Sequence, residues 1–213
     1  MKRTVLLLAF SGMFFFAKAQ TLNIQAGTTI SNLDWELNHY QPEYRRNIIG
    51  YSFFVGMDYL DKKYINLSSN IGFIRKGGMW DVELFEIEKN FITYYPEKAT
   101  LDYFSTNTLI ELKYPVTGRF IPFISLGPRV DFLVSRNARF EDFNEQGFLH
   151  EVAFGILAGG GIKFVNGKSI IGFRFDYYAD INDIATYQVF NQAEPAEIKA
   201  RTFSLNVSYG YRF

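Results

Sequence analysis

The chain has 213 residues, 22 basic against 22 acidic side chains, 23 Phe, 14 Tyr and no Cys. A balanced charge lacks the basic excess that nucleic acid as a partner calls for. The absence of Cys excludes a disulfide framework and a thiolate metal centre.

Residues 1–19 read as an export signal. Lys2 and Arg3 form a positive start, Val5 to Phe16 a largely apolar run, and Ala17-Lys18-Ala19 the small residues that a signal peptidase accepts. The run is too short for a membrane-spanning helix of ~20 residues. No Cys stands at the expected cut, which argues against a lipid-anchored lipoprotein. A buried N-terminal helix is the alternative. Cleavage after Ala19 would leave residues 20–213 as one domain, with 22 less three, or 19, basic side chains against 22 acidic ones.

From there the chain alternates. Successive strand side chains point to opposite faces, so alternation marks strands with one apolar and one polar face. The first predicted strand has Leu22, Ile24, Ala26 and Ile30 against Asn23, Gln25, Gly27 and Thr29. The second sets Tyr51, Phe53, Val55, Met57 and Tyr59 against Ser52, Gly56 and Asp58, with Phe54 as an exception. The third sets Ile65, Leu67, Ile71 and Phe73 against Asn66, Ser68, Asn70 and Gly72. The fourth is short, Ile110, Leu112 and Tyr114 around Glu111 and Lys113.

The fifth alternates Ile124, Leu126, Val130, Phe132 and Val134 with Ser125, Gly127, Arg129 and Asp131. Pro122 and Pro128 fall in it, and Pro cannot donate to a ladder, so a bulge or frayed end is expected there. The sixth runs Phe154, Ile156, Ala158, Ile162 and Phe164 against Gly155, Gly159, Gly161 and Lys163, interrupted by Leu157. The seventh alternates Ile171, Phe173, Phe175, Tyr177 and Ala179 with Gly172, Arg174, Asp176 and Tyr178. The eighth is the clearest: Phe203, Leu205, Val207, Tyr209, Tyr211 and Phe213 against Thr202, Ser204, Asn206, Ser208, Gly210 and Arg212.

Connections alternate in length as well. Leu60 to Lys63, Pro115 to Arg119 and Val165-Asn166-Gly167-Lys168 are tight, the last carrying the Asn-Gly hairpin signal. The segments 31–47, 76–100, 135–149 and 181–198 are long. In 76–100, Val82, Leu84 and Ile87 sit among Glu83, Glu86 and Glu88, so the flanking strands are expected to continue as a hairpin. The expected fold is all-β: an eight-stranded antiparallel up-and-down transmembrane β-barrel with short periplasmic turns and long extracellular loops.

A soluble eight-stranded barrel is the competing architecture, and it would turn its apolar face inward. Here the polar face carries Glu111, Lys113, Arg129, Asp131, Lys163, Arg174, Asp176 and Arg212, both signs together, as a self-satisfying network in a narrow lumen would. The other face is aromatic and aliphatic, with Tyr59, Tyr114, Tyr209 and Tyr211 near strand ends, where interfacial girdles lie.

Signals for chemistry are sparse. His39 and His150 fall in long loops with no nucleophilic Ser placed beside them and no G-x-S-x-G, so no enzymatic activity and no catalytic residue is expected. Gly155, Gly159, Gly160 and Gly161 lie in an alternating strand with no helix following, which favours relief of crowding over a phosphate loop. Asp81, Glu83, Glu86 and Glu88 could gather a cation, but scattered loop acids are more often solvated; no metal or cofactor is expected.

Ser204-Leu205-Asn206-Val207-Ser208-Tyr209-Gly210-Tyr211-Arg212-Phe213 resembles the closing strand of outer-membrane barrels. The resemblance implies that Tyr209, Tyr211 and Phe213 form a signal for the barrel-insertion machinery. Tyr103 with Leu109 to Tyr114, then Phe120-Ile121-Pro122-Phe123-Ile124-Ser125-Leu126-Gly127-Pro128, is similar to the PorT-like barrel family of Bacteroidetes, as are the strands Gly155 to Lys163 and Arg174 to Tyr178. That likeness implies residence in the outer membrane and, as one possible role, assistance to type IX secretion.

An eight-stranded barrel is only wide enough for side chains to fill it. The expected role is therefore structural or interactive, through loops or turns that meet an envelope or extracellular protein. A small porin-like channel is the alternative.

Overall fold

The computed structural model describes residues 21–36, 46–86, 91–116, 119–137, 149–187 and 196–213. Strands run β1 (Thr21–Glu36), β2 (Ile48–Asp58), β3 (Ile65–Glu86), β4 (Phe91–Lys113), β5 (Phe120–Arg136), β6 (Val152–Asn166), β7 (Ser169–Asp180), β8 (Ala185–Tyr187) and β9 (Ala196–Arg212). Each strand from β1 to β6 pairs antiparallel with the next, β7 pairs with β9, and β9 returns to β1. The closing seam is long, from Thr21↔Arg212 to Glu36↔Glu197. Eight strands thus close a barrel, in which no backbone edge is left to face lipid. β8 adds no stave: β7 ends at Asp180, and β8 takes the freed edge of β9 at Ala185↔Ile198.

Alternation sorts the two faces. On β9, Leu205 is 60 % exposed and Asn206 1 %; on β7, Phe175 is 53 % exposed and Arg174 5 %. Apolar side chains outside and charged ones inside reverse the order of a soluble barrel, and hydrocarbon is the medium that accepts such a surface. The belt runs from Leu22 to Ile30 on β1 and from Phe203 to Tyr211 on β9. Some ten residues at ~3.3 Å, tilted ~40°, span roughly 25 Å, the height of the apolar band in such barrels.

Above the belt the outward positions turn polar. Arg75 meets Asp102 through two hydrogen bonds of 2.7 Å, and Arg201 lies 2.6 Å from Asp34. A closed barrel of this kind resists SDS until boiled, so folded, membrane-extracted protein is expected to migrate differently on gels before and after heating. Identical migration would count against closure.

Several local expectations need correction. β4 is far longer than Ile110 to Tyr114, because the 76–100 segment is a ladder, with β3 and β4 paired without interruption to Glu86↔Phe91. The hairpin expected there is present, and about ten residues of each strand, roughly 30 Å, stand beyond Arg75. The β4–β5 bulge falls between Asp102 and Tyr103, where the register shifts past Val134, rather than at either proline. At Pro128 the β4–β5 ladder lapses between Asn107↔Arg129 and Ile110↔Leu126, as a missing donor requires. Pro122 sits two residues from the start of β5, and its carbonyl accepts from the Tyr114 amide at 2.9 Å. In the β6–β7 hairpin Asn166 pairs with Ser169, so the loop residues are Gly167-Lys168 rather than Asn-Gly. Gly167 takes the positive φ of 61° that either primed turn needs at its first central residue.

Candidate functional site: the barrel lumen

The lumen is built by the inward members of each strand, and three groups follow one another along it. At the periplasmic rim Asp61, in the β2–β3 turn, pairs with Lys113 of β4 and, at 2.8 Å, with Arg212 of β9. The two predicted cations are therefore joined through an acid that the sequence reading left in a turn.

Deeper in, Glu111 pairs with Lys163 and lies 3.3 Å from Arg174. Arg174 also bonds Asp176 at 2.9 Å and Ser125 at 3.1 Å, and Asn66 donates to Glu111 at 2.9 Å. Phe123 lies beneath both cations, 4.9 Å from the Lys163 ammonium and 5.5 Å from the Arg174 guanidinium. Amides continue the network around the barrel: Gln25 donates to Asn70 at 3.1 Å, and Asn70 to Asn107 at 2.8 Å. Ser52 donates to Asn206 at 2.6 Å. Among these side chains lies a cavity of about 20 Å³ lined by Asp58, Ser68, Glu111, Phe123, Lys163 and Ile170, room for roughly one water.

The third group is a buried quartet that the sequence reading only half found. Lys76 of β3 lies 2.7 Å from Asp131 and 2.9 Å from Asp180, and Arg129 pairs with the same two carboxylates. All four side chains are 0 % exposed. Tyr103 and Tyr178 flank them, the first 5.1 Å from the Lys76 ammonium and the second 5.3 Å from the Arg129 guanidinium. Two cations and two anions, each touching both partners, offset the desolvation that an isolated charge would suffer. Gly155 makes room for this: a Cβ there would stand 2.6 Å from an Arg129 Nη. Gly159 likewise faces Asp176, so these two glycines vacate volume for lumen charges.

Toward the extracellular strand ends the interior becomes apolar, with Leu33, Leu101, Leu149, Leu157, Ile184, Ala185, Ile198 and Ala200 buried together. Ile184 and Ala185 come from the segment after β7, which carries that stave onward in the wall between Leu149–His150 and β9: the His150 amide donates to the Ile184 carbonyl at 2.8 Å, and the Ile184 amide to the Ile198 carbonyl at 2.7 Å. Phe54 and Leu157, the exceptions to alternation, belong to this same interior core.

Glu111, Lys163, Arg174 and Asp176 therefore meet in one cluster, Arg129 and Asp131 in another, and Lys113 and Arg212 in a third. Lys76, Asp180 and Asp61 were missed. Lys76 and Asp180 simply continue the inward even-numbered series of β3 and β7 beyond Phe73 and Ala179, where the sequence reading ended those strands. Tyr209, Tyr211 and Phe213 lie exposed on the outer face at the periplasmic end. His150 is exposed and its Nδ1–H donates to the Asp183 carbonyl at 2.9 Å. His39, Glu88 and residues 1–19 lie outside the described residues, as do the side chains of Asp81, Glu83 and Glu86. Among the described residues no three His, Asp or Glu side chains are placed to hold a metal ion.

A closed ring of eight antiparallel strands, with an apolar exterior and a charged, filled interior, defines the class of small transmembrane β-barrels. In fold the chain is similar to the outer membrane protein OprG of Pseudomonas aeruginosa, with 14 % identity, a TM-score of 0.52, and 92 % of this chain and 97 % of that one covered. Weaker likenesses are to Neisserial surface protein A, at 11 % identity and a TM-score of 0.49 over 90 % and 97 % of the two chains, and to Escherichia coli outer membrane protein W, at 13 % and 0.45 over 92 % and 98 %. No protein-family model matches the sequence, and a search of characterised proteins finds no match to it either.

Proposed function

We propose that this chain is an integral outer-membrane protein with a filled lumen and no enzymatic activity, acting through its extracellular loops or periplasmic turns on an envelope or extracellular protein. The observation that carries this reading is the Lys76–Asp131–Arg129–Asp180 quartet, which crosses the lumen from β3 to β5 and β7 and is packed against the apolar interior core. Ions passing through would have to displace paired, dehydrated charges. What a barrel of this kind keeps available to partners is its rims, and the β3–β4 hairpin is the longest projection among the described residues.

The test is conductance of the purified, heat-shifted protein in a planar bilayer. No discrete steps are expected; steady unitary currents would replace this reading with a porin-like channel. The leader belongs to the same proposal, and the intact mass of membrane-extracted protein should begin at Gln20. Insertion through the barrel-assembly machinery, read from Tyr209, Tyr211 and Phe213, is likewise proposed, as is membership of the PorT-like family. A part in type IX secretion rests on that resemblance alone, and retention of secreted cargo on loss of the protein would support it.

A further inference from the structure

We propose that the periplasmic rim is a docking belt for anionic phospholipid headgroups of the adjacent leaflet; the inference rests on the transmembrane-barrel reading. Lys62 and Lys63 come from the β2–β3 turn, Arg119 from the β4–β5 turn and Lys168 from the β6–β7 turn, so the cations are spread around the barrel mouth. All four are exposed, and among the described residues none is paired with an acid. The acid beside them, Asp61, is already held by Lys113 and Arg212. Among the described residues, the four turn cations are thus left without an acid partner at this rim. Residues 1–20 hold no Asp or Glu that could neutralise it. Toward the opposite rim Arg75 is matched by Asp102, Arg201 by Asp34, and Lys199 by Asp183 and Glu197.

Height decides the partner. The Lys63 ammonium lies 5.0 Å from the centre of the Tyr64 ring, and that of Lys168 5.8 Å from the Tyr211 ring. Tyr64, Tyr114, Phe120 and Tyr211 are all exposed on the outer surface there, forming the aromatic girdle that marks the interface. The turns are too short to carry the cations away from it. A lipid phosphate is delivered at that level, whereas cell-wall polymer or a soluble acidic protein approaches from farther out. Unpaired cations at a membrane surface attract anionic lipid, and the attraction is screened by salt.

The experiment uses the full chain refolded in phosphatidylcholine vesicles carrying traces of spin-labelled phosphatidylglycerol or spin-labelled phosphatidylcholine. Wild-type protein is expected to hold the anionic label roughly threefold more often in its first lipid shell, falling to near parity at about 1 M salt. The Lys62→Gln/Lys63→Gln/Arg119→Gln/Lys168→Gln variant should show parity at low salt, while Arg75→Gln/Arg201→Gln retains the preference. Parity in the wild type, or an undiminished preference in the fourfold variant, overturns the proposal. So does co-sedimentation with cell-wall sacculi in the absence of a lipid preference. Should the fourfold variant not insert, the wild-type salt titration decides alone, and a preference that survives about 1 M salt overturns the proposal. A missing heat shift in the wild type would instead refute the barrel reading beneath it.

Discussion

Lys76→Met is expected to lower the unfolding free energy of the barrel by about 3–5 kcal/mol, the range for breaking a buried ion pair from one side. The substitution leaves Asp131 and Asp180 sharing Arg129 alone, in an interior where all four side chains are 0 % exposed. Lys76→Met/Asp131→Asn restores neutrality with Arg129 and Asp180 still paired, and should recover most of the loss. The cycle is read from denaturant unfolding in lipid vesicles, followed by gel shift. A single-variant loss under about 1 kcal/mol would mean that the quartet is solvated and the lumen open, since exposed pairs contribute no more than that.

Leu205→Arg and Phe175→Arg should each cost about 2–4 kcal/mol, the penalty for a guanidinium near the midplane of a lipid-facing surface. The two residues are cross-strand partners on the outer face, and Phe175 stacks with Phe203 at 5.6 Å between ring centres. A soluble barrel with these residues inside would also suffer, so stability alone does not separate the architectures. Labelling does. In this Cys-free chain, a single Cys at 175 or 205 should react with a lipid-phase reagent in the folded protein, and one at 206 should not. The opposite pattern would refute the membrane barrel.

What the sequence shows depends on period. Strand side chains alternate with a period of two, so Leu205 outward and Asn206 inward follow from the order of residues wherever one face meets hydrocarbon. The alternation is lost where that contrast fades. Past Phe73 on β3 and Ala179 on β7 the outer surface leaves lipid and becomes polar and both faces look alike, so Lys76 falls in the long segment 76–100 and Asp180 just past the end of the seventh alternating run. Phe54 and Leu157 passed for errors in alternation for a related reason: apolar residues on both sides of a strand carry no period.

Composition and alternation by themselves determined the class, the count of staves, the apolar exterior and the hairpin beyond residue 76. Tertiary structure alone decided the partnerships inside: Lys76 with Asp180, 104 positions away, Arg129 with the same carboxylate, and Asp61 with Arg212. The first two join strands that are not neighbours in the ladder, and the third joins the β2–β3 turn to β9. Which inward side chains meet across a lumen is set by strand tilt and stagger when the barrel closes, and those belong to the ring as a whole rather than to any one strand.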